Sequence, residues 1–256
     1  MVQLMRWSRR LFVSAGFLCT LVALAIGTAA ADERRFSFAA TPGKLPKTVV
    51  PTHYAIELEP NLDNLTIAGS EVVDIEVREP TAQIVLNAVN MTLAGASIEN
   101  AGIAASIALD RANETATLTF PQPLGPGAHK LRIAFSAHIN KFGRGLFVVD
   151  YPTDNGRKRM ISSHLEPADA RRIFPSWDEP AFKATFALTV TVPRNFLAVS
   201  NMPVAHEEPV TPTLKQVTFA ATPKMSSYLF VLAAGELERL AGQADGIAVN
   251  VITTAG

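Results

Sequence analysis

The sequence predicts an all-β fold, an antiparallel β-sandwich or barrel. Two observations carry that prediction. Large apolar residues alternate with polar or small ones in many short runs, the period-two mark of half-buried strands. Clusters of Gly, Pro, Asn and Asp separate those runs at short intervals, and no long helical period lies outside the first 31 residues.

The chain opens with Arg6, Arg9 and Arg10, then an apolar run over residues 11–26, then Thr28-Ala29-Ala30-Ala31 directly before Asp32-Glu33-Arg34-Arg35. Residues 1–31 therefore read as a secretory signal peptide cut after Ala31 or one residue earlier, and the protein as exported, periplasmic or extracellular. An uncleaved anchor is the alternative, because a bilayer span takes roughly 20 residues. With the signal cleaved, no stable membrane association is expected. Residues 32–44 read as a linker and 45–256 as the domain. Strands are predicted over residues 54–59, 73–77, 84–86, 106–109, 115–120 and 130–135. Pro121-Gln122-Pro123-Leu124-Gly125-Pro126-Gly127 is the strongest turn signal. Asp154-Asn155-Gly156 reads as a hairpin tip between strands at residues 146–149 and 160–161. Residues 167–172 are expected to make one short helical turn, because Pro suits a first helical position. Further strands are predicted over 185–192, 196–200, 216–219, 228–233 and 247–252.

With 256 residues, 48% of them hydrophobic, the chain can bury a sizeable core. Its 23 basic and 23 acidic residues cancel, which gives no reason to expect a nucleic-acid partner. The one cysteine, Cys19, lies in the signal segment. The mature chain therefore has no disulfide, thiolate nucleophile or cysteine zinc site. A zinc-protease helix needs H-E-x-x-H. His206-Glu207-Glu208-Pro209-Val210 begins that way, but Val210 replaces the second histidine and Pro209 would break the helix. No G-x-S-x-G elbow and no phosphate-binding glycine loop is present. Phe142-Gly143-Arg144-Gly145-Leu146 reads as a turn. No catalytic residue and no metal ligand is assigned in this chain.

Polar chemistry concentrates in residues 162–180. Glu166, held extended by Pro167, has two readings. It can bind a cation at a cleft edge, or it can pair with Arg171 or Arg172 on the surface, where such a pair contributes ~0–1 kcal/mol. Arg171, Arg172, Asp178 and Glu179 read as structural, an arginine fork bracing the irregular Phe174-Pro175-Ser176-Trp177. Trp177, Phe174 and Phe182 read as core aromatics.

Leu165-Glu166-Pro167-Ala168-Asp169-Ala170-Arg171-Arg172, followed by Phe174-Pro175-Ser176-Trp177-Asp178-Glu179-Pro180-Ala181-Phe182, resembles the N-terminal domain of aminopeptidase N-type zinc (gluzincin) aminopeptidases. Pro51-Thr52-His53-Tyr54, Gly143-Arg144-Gly145-Leu146-Phe147 and Met225-Ser226-Ser227-Tyr228-Leu229 match further motifs of that family in order. The resemblance implies a saddle-like β-sandwich joined to a thermolysin-like catalytic domain that carries zinc, an H-E-x-x-H helix and a G-x-M-E-N loop. It implies removal of N-terminal amino acids from peptides. Glu166 matches the family glutamate that holds the free α-amine, and His164 stands where the family often has Gln, lining the pocket for the first substrate side chain. The zinc helix and G-x-M-E-N loop are absent from this sequence. The chain alone is therefore expected to be inactive, with the catalytic domain supplied in cis or in trans. The alternatives are a stand-alone binding module and one chain of a two-chain aminopeptidase. A domain built to cover a catalytic domain is expected to expose an apolar patch when isolated.

Overall fold

The structure, a computed structural model, describes residues 37–154 and 156–254. The signal-peptide reading of residues 1–31 and the Asn155 position of the hairpin tip lie outside them. Residues 37–40 belong to a separate N-terminal unit and make one 3-10 turn, Phe38–Ala40, closed by the Ala40 N–H on the Ser37 carbonyl.

From Thr41 onward the chain is all-β, and among the described residues its strands form four sheets. The largest contains β1 (Val49–Asn61), β2 (Thr66–Val77), β4 (Met91–Ile98), β5 (Ile103–Ala104), β8 (Gly127–His138), β11 (Lys183–Pro193), β13 (Val204–Pro209), β14 (Leu214–Phe219) and β15 (Met225–Ser226). Its order is β13-β14-β11-β1-β2-β8-β4-β5, with β15 also on β11. A second sheet runs β12 (Leu197–Ser200), β16 (Leu232–Gly235), β10 (Gly156–His164), β9 (Gly145–Thr153). A third runs β3 (Thr81–Asn87), β7 (Thr115–Leu124), β6 (Ser106–Asp110), and the hairpin β17 (Leu237–Ala244), β18 (Ile247–Thr254) stands as the fourth. The pairing is antiparallel throughout except between β1 and β11, which run parallel from His53↔Thr185 to Leu58↔Val190.

Alternation places the core. In β1, Tyr54, Ile56 and Leu58 are buried while Ala55, Glu57 and Glu59 face water. Upstream the phase shifts, with Val49 and Pro51 buried, because a bulge leaves Thr52 unpaired between Pro51↔Ile75 and His53↔Asp74. On β8, Leu131, Ile133, Phe135 and Ala137 face inward, and on β11 Ala184, Phe186, Leu188, Val190 and Val192 do. Tyr54 stacks on Phe186 at 4.8 Å, and Phe174 meets Phe230 edge-on at 5.2 Å. Trp177, Phe174 and Phe182 are core residues, as their types suggest.

Three local expectations change. The turn at residues 121–127 shrinks to Gly125-Pro126, because β7 continues through Pro121 and Pro123 to Leu124. Those prolines fall beyond Ser106↔Thr119, the last pair with β6, where a missing N–H costs no ladder bond on that side. Residues 228–233 are not one strand. A 3-10 turn, Ser227–Leu229, precedes β16, because the Ser227 hydroxyl is drawn to Asp178. The helical turn expected from Pro167 begins three residues later, as the 3-10 turn Ala170–Arg172.

Candidate functional site

β10 ends at His164, and the chain reverses through Leu165-Glu166-Pro167-Ala168-Asp169. Leu165 is buried and roots the turn, and the Asp169 N–H closes it on the Leu165 carbonyl at 2.8 Å. The Glu166–Pro167 bond is cis. Asp169, 4% exposed at its side chain, is the anchor. Arg144 donates Nε to its Oδ2 and Nη2 to its Oδ1, each at 2.9 Å, and Arg172 donates Nε to Oδ1 at 2.7 Å. Burial pushes this carboxyl up. The hydrogen bonds and charges of Arg144 and Arg172 more than offset that and leave it below the usual aspartate range.

Arg144 comes from the Gly143-Arg144-Gly145 segment, which is a turn and also half of the site. Asn140 donates its side-chain amide to the Arg144 carbonyl at 2.6 Å. Gly145 has φ +64°, and a Cβ there would lie 2.9 Å from Cβ of Arg172, so only glycine lets β9 start this close to the turn. His164 pairs with Gly145 across the β9–β10 ladder, and its Nδ1 lies 3.2 Å from the Gly143 carbonyl, which can only accept.

The arginine fork exists, with more partners than the sequence suggests. Arg171 donates Nε to Asp178 Oδ2 and Nη2 to the Asp178 carbonyl, both at 2.9 Å, and Nη1 to Glu114 Oε2 at 2.9 Å. Ser227 donates Oγ to Asp178 Oδ1 at 2.6 Å. Glu179 turns elsewhere and accepts the Lys44 and Leu45 backbone N–H groups. Arg171 is thus committed to Asp178 and Glu114, Arg172 gives its Nε to Asp169, and the surface pair with Glu166 does not form. Glu166 is exposed and, among the described residues, has no hydrogen bond or ion pair. His164 is exposed beside it in sequence. Sequence reading left out Arg144, Asp169 and Glu114 as site supports. The available signal was an arginine flanked by two glycines.

Chemically, this is a carboxylate with unused acceptor capacity on a turn locked from below. It suits a cationic group such as an ammonium. Among the described residues no three His, Cys, Asp or Glu side chains converge, and the His206–Glu208 pair stands alone on the edge strand β13.

A family model described as the peptidase M1 N-terminal domain matches residues 50–229. The chain belongs to that family. It is 47% identical over 244 residues to Aminopeptidase N of Acetobacter pasteurianus, covering 93% of this chain and 68% of that protein. It is 36% identical over 221 residues to Aminopeptidase M1 of Arabidopsis thaliana, with 83% of this chain and 25% of that protein covered. It is 33% identical over 220 residues to the puromycin-sensitive aminopeptidase of Caenorhabditis elegans, with 83% and 23% covered. The chain therefore spans about a quarter of the length of the last two.

Proposed function

We propose that this M1 N-terminal domain supplies one wall of the substrate site of an exported zinc aminopeptidase, with Glu166 anchoring the α-ammonium of the peptide. The observation that carries this reading is the unpaired Glu166 carboxylate on a turn fixed by the buried Asp169–Arg144–Arg172 cluster. A carboxylate with no internal partner, held in a set direction, accepts an ammonium without first breaking another bond. His164, at the end of β10, lines the pocket for the first side chain. The zinc and the groups that do the chemistry come from a thermolysin-like domain in cis or in trans. The relatives support this reading, since all three are named as aminopeptidases.

The hairpin β17–β18 supports a covering role. The consecutive same-face pairs Leu240↔Val251, Gly242↔Val249 and Ala244↔Ile247 make an apolar stretch that ends at Glu238↔Thr253, and within it Leu240 is 71% and Ile247 68% exposed. The opposite face, carrying Arg239, Gln243 and Asn250, includes the half-buried Leu237 and Ile252. An apolar stretch turned to water suits a surface that another polypeptide covers.

The test is Glu166→Gln in the native aminopeptidase isolated from its source. kcat/KM for free-amine substrates is expected to fall on the order of 100-fold, the cost of leaving a desolvated ammonium without its carboxylate. An unchanged kcat/KM would remove Glu166 from the substrate site.

A further inference from the structure

A cleft of about 500 Å³, within the range of small-molecule pockets, has Arg172 in its lining. Its lining mixes apolar Val89, Met91, Leu109 and Ala137 with polar side chains, and it includes the two cations Arg111 and Arg172. Both guanidinium groups have donors to spare. Arg111 is exposed and has no ion pair or hydrogen bond from its side chain among the described residues. Arg172 spends Nε on Asp169, and its Nη2 makes only a loose ion pair with Glu114 Oε1 at 3.7 Å, too long for a hydrogen bond.

The acids nearby do not fill that role. Asp110 turns its carboxylate into its own loop, where Oδ1 accepts the Ala112 and Asn113 N–H groups and Oδ2 accepts the Asn113 amide. Glu114 gives its short contact to Arg171. What remains is a pair of arginines beside an apolar patch within a largely polar cleft. Guanidinium groups take carboxylates through paired N–H donors, and the patch offers burial to an aliphatic group.

We propose that this cleft binds a small organic acid with an apolar side chain, of the size of an acylated amino acid, and that its occupancy is felt at the Glu166 turn. The route is one residue long. Arg172 is both a cleft donor and one of the two arginines on Asp169, and Asp169 closes the turn that carries Glu166. A ligand carboxylate on Arg172 competes with Asp169 for the same guanidinium. By linkage, whatever shifts the turn also shifts ligand affinity. The binding site stands on the cleft alone, and only the consequence for substrate rests on the proposed role of Glu166.

The experiment is an amide NMR titration of the purified chain with N-acetyl-L-leucine and, separately, N-acetyl-L-leucinamide. Acetylation removes the amine, so neither probe offers Glu166 an ammonium. Saturable shifts at Val89, Met91, Leu109 and Arg111 are expected with the acid, half-complete on the order of 1 mM, and not with the amide. Arg111→Ala is expected to weaken binding about tenfold, the loss of one charged hydrogen-bonding group. Glu166→Gln should leave cleft affinity unchanged, which separates this proposal from the substrate-anchor reading. Equal binding of acid and amide, or indifference to Arg111→Ala, would overturn the site. Shifts confined to the cleft, with none at Ala168 and Asp169, would overturn the coupling.

Discussion

Asp169 places a charge where water cannot reach it, and only the two arginines make that tolerable. Its carboxyl is held below its ordinary value of about 3.9. A depressed folded pKa means that the unfolded chain binds the proton more tightly, so the stabilisation is complete above pH ~4 and disappears as pH falls through the folded value. Asp169→Asn should cost about 2 kcal/mol at pH 7, discounted from the fully buried case because Arg144 is half-exposed. Urea melts between pH 7 and pH 2.5 should show that gap narrowing below pH 4. A gap independent of pH would mean that Asp169 acts through shape and not charge. The sequence exposed only part of this site. Glu166, Asp169 and Arg172 share one short stretch, and the stretch was conspicuous. Arg144 lies 25 residues from Asp169, and Glu114 57 residues from Arg171. Those partners meet only because β9 pairs with β10 and the β6–β7 tip folds against the turn, which no local pattern encodes.

Among the elements, β2 carries the plainest conflict between pattern and content. Its alternation buries Ile67, Glu71, Val73, Ile75 and Val77 on one face, so Glu71 sits where an aliphatic residue belongs, opposite Ile56 and Ile133. Neither carboxylate oxygen has a partner among the described residues. Burial pushes its pKa well above the usual range. A raised folded pKa in an acid means that the folded chain binds the proton more tightly. Stability therefore falls as pH rises from the ordinary glutamate value of about 4.3 towards the folded one. Glu71→Met should raise stability at pH 7 by about 1–2 kcal/mol, since it removes an unsatisfied buried group at similar volume. That gain should shrink near pH 4, and a loss of stability at pH 7 would show that Glu71 has a structural role. The strands legible in sequence were those, like β1 and β8, whose buried faces are large and aliphatic. β4 buries Met91 and Leu93 but a bulge between Leu93 and Gly95 shifts its phase before Ala96 and Ile98, and β13 is exposed along its whole length, so no alternation marks it. β17 has little contrast between its faces, although Asp245-Gly246, both at positive φ, is a strong two-residue hairpin signal.

At the scale of the whole molecule, the question is whether this domain is finished in itself. Its central sheet is, with Tyr54, Phe174, Phe186 and Phe230 clustered over it and the flanking strands polar outside. The β17–β18 hairpin is not. A two-stranded hairpin is at best marginally stable in water, and this one presents Leu240, Val249, Val251 and Ile247 outward with both edges free of other strands. Such a face drives association when nothing covers it. Threonine suits the same backbone as these residues but removes most of the apolar surface. The isolated chain is therefore expected to self-associate with rising concentration in sedimentation velocity, and the Leu240→Thr, Val249→Thr, Val251→Thr variant to stay monomeric with an unchanged melting temperature. A wild-type chain that sediments as a monomer at every concentration would argue for a self-sufficient module and against a domain shaped to cover a catalytic partner.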